Sequence, residues 1–169
     1  MPNMQQIISN HNQAIINKGK NNESKNNCNC RNRKECPLNN NCLTKSIVYQ
    51  ATVKQENNQE EQTYVGLTEN TFKTRYTEHK ASFNHINKRH ATTLSEHIWS
   101  LKDKNIQYNI KWKILTRAKA YNTNSKKCNH CLAEKYIITT QQNMSTLNKR
   151  NELASSCRHR RKYLLQQQK

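Results

Sequence analysis

Seven cysteines in two groups constrain this chain more tightly than any of its apolar runs. Cys28, Cys30, Cys36 and Cys42 have the spacing C-x-C-x5-C-x5-C; Cys128-x2-Cys131 is followed 26 residues on by Cys157-Arg158-His159. Four thiolates in so short a loop can close a tetrahedral zinc site, and two residues between thiols let both meet one metal. Cys128, Cys131, Cys157 and His159 make a Cys3His set that would clip a helix to the C-terminal tail. The first spacing is not a common finger spacing, so oxidation-prone thiols in a polar linker are its alternative reading. With four protein ligands neither site keeps an open position, so structural zinc is expected at one or both.

Such staples matter because the core must be modest. Hydrophobic residues make up 33% of the 169 positions, low for a domain held by burial alone. One compact domain with polar tails is expected. The opening MPNMQQIISNHNQAII lacks the pattern of a signal peptide, and no apolar run nears the roughly 20 residues of a bilayer span. An intracellular, reducing compartment is therefore expected, where clustered cysteines are metal ligands rather than disulfides.

Lys and Arg number 29 against 11 acidic residues, a net +18. Such an excess draws polyanions, of which nucleic acid is the commonest. A membrane surface is the rival, but no basic amphipathic helix supports it. Arg158, Arg160, Arg161 and Lys162 are candidate nucleic-acid contacts in the tail.

Along the chain, Ile7, Ile8, Ile15 and Ile16 suit a short helix over 4–16, and a polar linker runs to residue 27. Residues 28–45 form the cysteine-rich segment, 46–152 a domain, and 153–169 a basic tail. Ile47, Tyr49, Ala51 and Val53 alternate as a strand, and QTYVG reads as its hairpin partner. A helix follows from Asn70, with Thr68 or Asn70 as N-cap and Phe72, Tyr76, His79 and Phe83 at helical spacing. A second helix is expected at 92–103, a third strand at 108–115 and a third helix at 129–140. The order is β-β-α-α-β-α, an α+β chain.

Three features carry candidate chemistry. Gly66, one of two glycines, ends the predicted second strand and would let backbone and Tyr64 approach a phosphate. Arg75 and His79, one turn apart, share a helix face. They read either as a surface basic pair with a core histidine, or as a phosphate grip, the guanidinium forking onto two oxygens while imidazole moves a proton. Glu134, in CLAEKYII, is either an exposed carboxylate beside Lys135 or Lys127, or an inward ligand for one hard cation such as Mg²⁺. Acids are few, with Asp103 the single aspartate; this argues against a two-metal carboxylate cluster.

In their order these pieces resemble the GIY-YIG endonuclease domain over roughly residues 46–152. The two tripeptides stand as Ile47-Val48-Tyr49 and Tyr64-Val65-Gly66, Ile47 replacing the first glycine. Arg75 and His79 match the helix that follows; Glu134 and Asn148 match the later glutamate and asparagine. The chain is most similar to the endonuclease region of Penelope-like retroelements and related reverse-transcriptase reading frames. That likeness rests on runs such as YVGLTENTFKTRY, LSEHIWSLKDK and LNKRNELASSCRHR.

The resemblance implies a small three-stranded antiparallel sheet flanked by helices. It implies nicking of DNA with one Mg²⁺ (or Mn²⁺) on Glu134, in the nucleus, for element insertion. Tyr49 or Tyr64 would help deprotonate the attacking water, with His79 as relay. Arg75 would stabilise the phosphate charge, and Asn148 would orient the site. His97 is a further candidate. The N-terminal stretch would follow a reverse transcriptase in a larger parent protein. The competing reading is a non-catalytic, zinc-stapled nucleic-acid-binding module.

Overall fold

The computed structural model describes residues 27–56, 60–119, 128–149 and 157. Three strands, β1 (Ile47–Gln55), β2 (Glu61–Thr68) and β3 (Tyr108–Arg117), and three helices, α1 (Phe72–Asn84), α2 (Thr93–Asp103) and α3 (Asn129–Thr140), follow the order β1-β2-α1-α2-β3-α3. The sheet is antiparallel with β1 central, in the spatial order β2-β1-β3. The architecture is α+β with helices on both faces. The expected helix at 4–16 and the tail residues Arg158, His159, Arg160, Arg161 and Lys162 lie outside the described residues.

β1 shows why alternation alone under-reads this sheet. Ile47, Tyr49, Ala51 and Val53 face one core with Phe72 and Phe83 of α1 and Leu94, Ile98 and Leu101 of α2. Val48 faces a second core with Val65 and Leu67 of β2 and Ile137 and Ile138 of α3. Both faces of β1 are therefore covered, as expected of a central strand between helical layers. β3, at the edge, keeps a plain alternation, with Asn109, Lys111 and Lys113 exposed.

Pairing of β1 with β3 shifts between Val48 and Tyr49. Val48 opposes Thr116 but Tyr49 opposes Ile114, which leaves Leu115 as an extra residue. A bulge of this kind re-aims the side chains beside it, here at Tyr49.

The helices start on threonines. Thr71, rather than Thr68 or Asn70, caps α1 by accepting from Thr74 N, and Thr92 caps α2 by accepting from Ser95 N. These are ordinary N-cap bonds to the third helical amide. β2 continues two residues beyond Gly66, to Thr68, so the glycine lies inside the strand and does not end it.

The outer edge of β2 is closed by the segment after α3. Leu147 N donates to Thr63 O at 2.9 Å, and Thr63 N donates to Thr146 Oγ1 at 2.8 Å. An unpaired edge is a template for foreign strands; here a local segment occupies it. No helix among the described residues is long and apolar enough to cross a membrane.

Candidate active site

Tyr49, Arg75 and His79 form a hydrogen-bonded chain. Arg75 Nε donates to Tyr49 Oη at 3.0 Å. Tyr49 Oη and His79 Nε2 lie 2.7 Å apart, the direction of that bond set by the histidine tautomer. β1 supplies the tyrosine and α1 the other two, whose i, i+4 spacing places both over the same ring. Burial and the Arg75 guanidinium pull His79 down to about 3, so its imidazole is neutral near pH 7. Burial first, then Tyr64, push the Tyr49 phenol above the usual tyrosine range, against the pull of Arg75; Glu134 adds to the rise.

Gly66 pairs with Tyr49 across the strands. A Cβ at Gly66 would come within 2.6 Å of Tyr49 Oη and 3.0 Å of Tyr64 Cε1. The space that a side chain would take, expected to admit a phosphate, is filled by these two phenols.

Tyr64 is buried beside the chain, its ring centroid 6.0 Å from that of His79. Glu134, on α3, is 1% exposed, which overturns the reading of it as a surface carboxylate beside Lys135. Asn148 is a clamp on the edge strand: its Oδ1 accepts from Val65 N at 2.7 Å and its Nδ2 donates to Val65 O at 2.8 Å. Among the described residues, no hydrogen bond of Tyr49, Arg75 or His79 involves His97, which sits on α2.

Arg75 stands at the mouth of this arrangement, its Nη1 bound to Glu78 Oε2 at 2.8 Å and its side chain 25% exposed. A pocket of about 190 Å³ opens there, lined by Arg75, Glu78, His79, Ser82, Lys88 and Thr92 among others. Lys88 and Glu78 escaped the sequence reading, though Glu78 lies three residues from Arg75. Trp112 escaped it too. Its ring lies 5.3 Å from His79 and 5.9 Å from Tyr49, walling the chain on the β3 side. Its place on the apolar face of a predicted strand was the one available signal.

Each cysteine group gathers its thiols. The ligand atoms of Cys28, Cys30, Cys36 and Cys42 lie within 4.8 Å of one another, as do those of Cys128, Cys131 and Cys157. Both groups can hold a metal such as zinc, because converging thiolates favour soft or borderline cations. Backbone amides support the first group. Cys30 N donates to Cys28 Sγ at 3.4 Å, and the N–H groups of Leu38 and Asn40 draw Cys36 down to about 7 against its burial. Asn39 and Asn40 take positive φ angles of 46° and 70°, a conformation that asparagine tolerates. The expected fourth ligand of the second group, His159, is outside the described residues.

Compared with models of known protein families, with curated proteins and with solved structures, the chain finds no match.

Proposed function

We propose that this chain is a metal-dependent endonuclease of the GIY-YIG type that nicks DNA, in the setting of retroelement insertion. The observation that carries the reading is the chain from Arg75 through Tyr49 to His79, opening on a pocket with Lys88 at its rim. A strand tyrosine, a helical arginine and a neutral histidine within hydrogen-bond reach form a proton relay beside an anion grip. The net +18 supplies the long-range attraction for DNA.

In this reading Tyr49 acts as a conduit. The attacking water gives its proton to Tyr49 Oη as the phenol proton moves to His79 Nε2, so no free phenolate need accumulate. The water oxygen bonds to phosphorus, the bond to the sugar oxygen breaks, and that oxygen takes a proton from solvent. Arg75 exchanges Glu78 for the phosphate and stabilises its charge. The phosphate offsets the guanidinium that holds His79 down, so the imidazole gains basicity when substrate is present. Tyr64 and Trp112 fix the rings, and Gly66 leaves room for the phenol.

Glu134 fits one divalent cation such as Mg²⁺ or Mn²⁺. It is a buried carboxylate close enough to act on the Tyr49 charge, of the hard-oxygen type those ions take. Such an ion supplies positive charge for the leaving oxygen.

The burial of Tyr49, which is 0% exposed, favours a second reading in which the same domain binds nucleic acid without cutting it. Single-turnover cleavage of a short labelled duplex separates the two. Tyr49→Phe and Arg75→Ala should each slow cleavage by about 10²-fold or more while duplex binding persists. Equal rates in parent and both variants would remove the catalytic assignment.

A further inference from the structure

The first cysteine group touches the helix that carries Arg75 at the point where that helix begins. An α-helix leaves its first amides without partners inside the helix. In α1 the Phe72 amide donates to Thr44 O at 3.0 Å and the Lys73 amide donates to Cys42 O at 2.7 Å. The next amide, of Thr74, goes to the Thr71 hydroxyl. Two of the first three helical amides thus end on the cysteine-rich segment, one of them on the carbonyl of a cysteine in the cluster.

Side chains repeat the attachment. Lys73 Nζ donates to Asn29 Oδ1 at 2.7 Å, from the residue between Cys28 and Cys30. Leu38, between Cys36 and Cys42, is buried in the core that contains Phe72 and Tyr49. Arg75 lies in the first turn of α1, two residues beyond the Lys73 amide. The segment itself holds little regular structure, a three-residue 3₁₀ turn at Arg33–Glu35. Its backbone bonds are those of turns, such as Leu43 N to Asn27 O at 2.7 Å, and its four thiols converge at the centre.

We propose that a zinc ion on Cys28, Cys30, Cys36 and Cys42 is a clamp on α1. It fixes the carbonyls of Cys42 and Thr44 under the first turn and so holds Arg75 on Tyr49. Without the ion the cysteine segment loosens, the Phe72 and Lys73 amides lose their acceptors, and the guanidinium leaves the phenol. The second cysteine group, at the start of α3, has no such part. The clamp concerns the geometry of α1, so it stands or falls apart from the nuclease reading.

The test is zinc content together with amide hydrogen exchange on the full chain. The parent should carry zinc at the first group, and Cys36→Ser should lose about one zinc per chain. In that variant, exchange at Phe72–Tyr76 should quicken by about tenfold or more while α2 and β1 stay protected. Cys131→Ser should lose its own zinc and leave α1 unchanged. In the parent, mild chelation followed by zinc return should reverse the effect on α1, which guards against a misfolded variant. A parent whose first group takes no zinc would overturn the clamp. So would loss of zinc with α1 protection intact, or loss of protection throughout the domain.

Discussion

Gly66 stands directly across from Tyr49 in the β1–β2 ladder, and no side chain fits between its Cα and the tyrosine hydroxyl. The glycine thereby sets the position of the phenol from below, as Arg75 and His79 do from above. Gly66→Ala should displace Tyr49, break at least one of its two hydrogen bonds and cost about 1–3 kcal/mol of stability. Urea unfolding of the two proteins reads the cost. An unchanged midpoint would mean that the ring moves aside freely.

Asn148 closes the edge of β2 with two bonds to one residue, Val65. Asn148→Ala should lose about 1–3 kcal/mol, because a backbone donor and acceptor lose their partner together. Asn148→Asp should cost at least as much, since it sets a carboxylate oxygen against the Val65 carbonyl. If Asn148→Asp matches the parent in urea, the clamp is not what holds this edge.

His79 should make stability depend on pH. Its folded value is depressed to about 3 from an ordinary 6.5, so between those values the unfolded chain binds the extra proton. Stability from this residue is full above pH 6.5 and falls as pH falls through the window, by roughly 2 kcal/mol between pH 6.5 and 4.5. The difference between parent and His79→Gln, measured by urea unfolding at both values, isolates the effect from the carboxylates. Parallel losses in the two proteins would contradict the burial of a neutral imidazole.

Lys88 lines the same small pocket as Arg75 and, in the proposed nuclease, should bear on substrate binding rather than on the proton relay. Lys88→Ala is expected to weaken duplex binding and flatten its salt dependence by about one phosphate contact. Binding measured from low to moderate salt reads both. An unaltered salt slope would place the substrate elsewhere.

Much of this fold was legible in local pattern. The helix at 129–140 and the strand at 47–53 follow from spacing, and Arg75 with His79 follows from i, i+4 geometry. What the pattern hid was non-local. β1 reads as one-faced until α3 covers Val48. Glu134 reads either as a solvated acid or as an inward ligand until α3 packs it inward. The capping of α1 by Cys42 is a backbone contact across 31 residues, and no side-chain pattern encodes it. Trp112 looked like a strand residue with nothing beyond packing to do, because its neighbours Tyr49 and His79 come from two other elements.

The central claim is tested most directly by incubating supercoiled plasmid with Mg²⁺ at low salt, using the parent, Arg75→Ala and Glu134→Gln at matched fold and zinc content. The account predicts that the parent converts the plasmid to the nicked form and that both variants, still bound to DNA, leave it supercoiled. Binding by all three with no nicking by any would contradict it and leave a zinc-stapled DNA-binding domain.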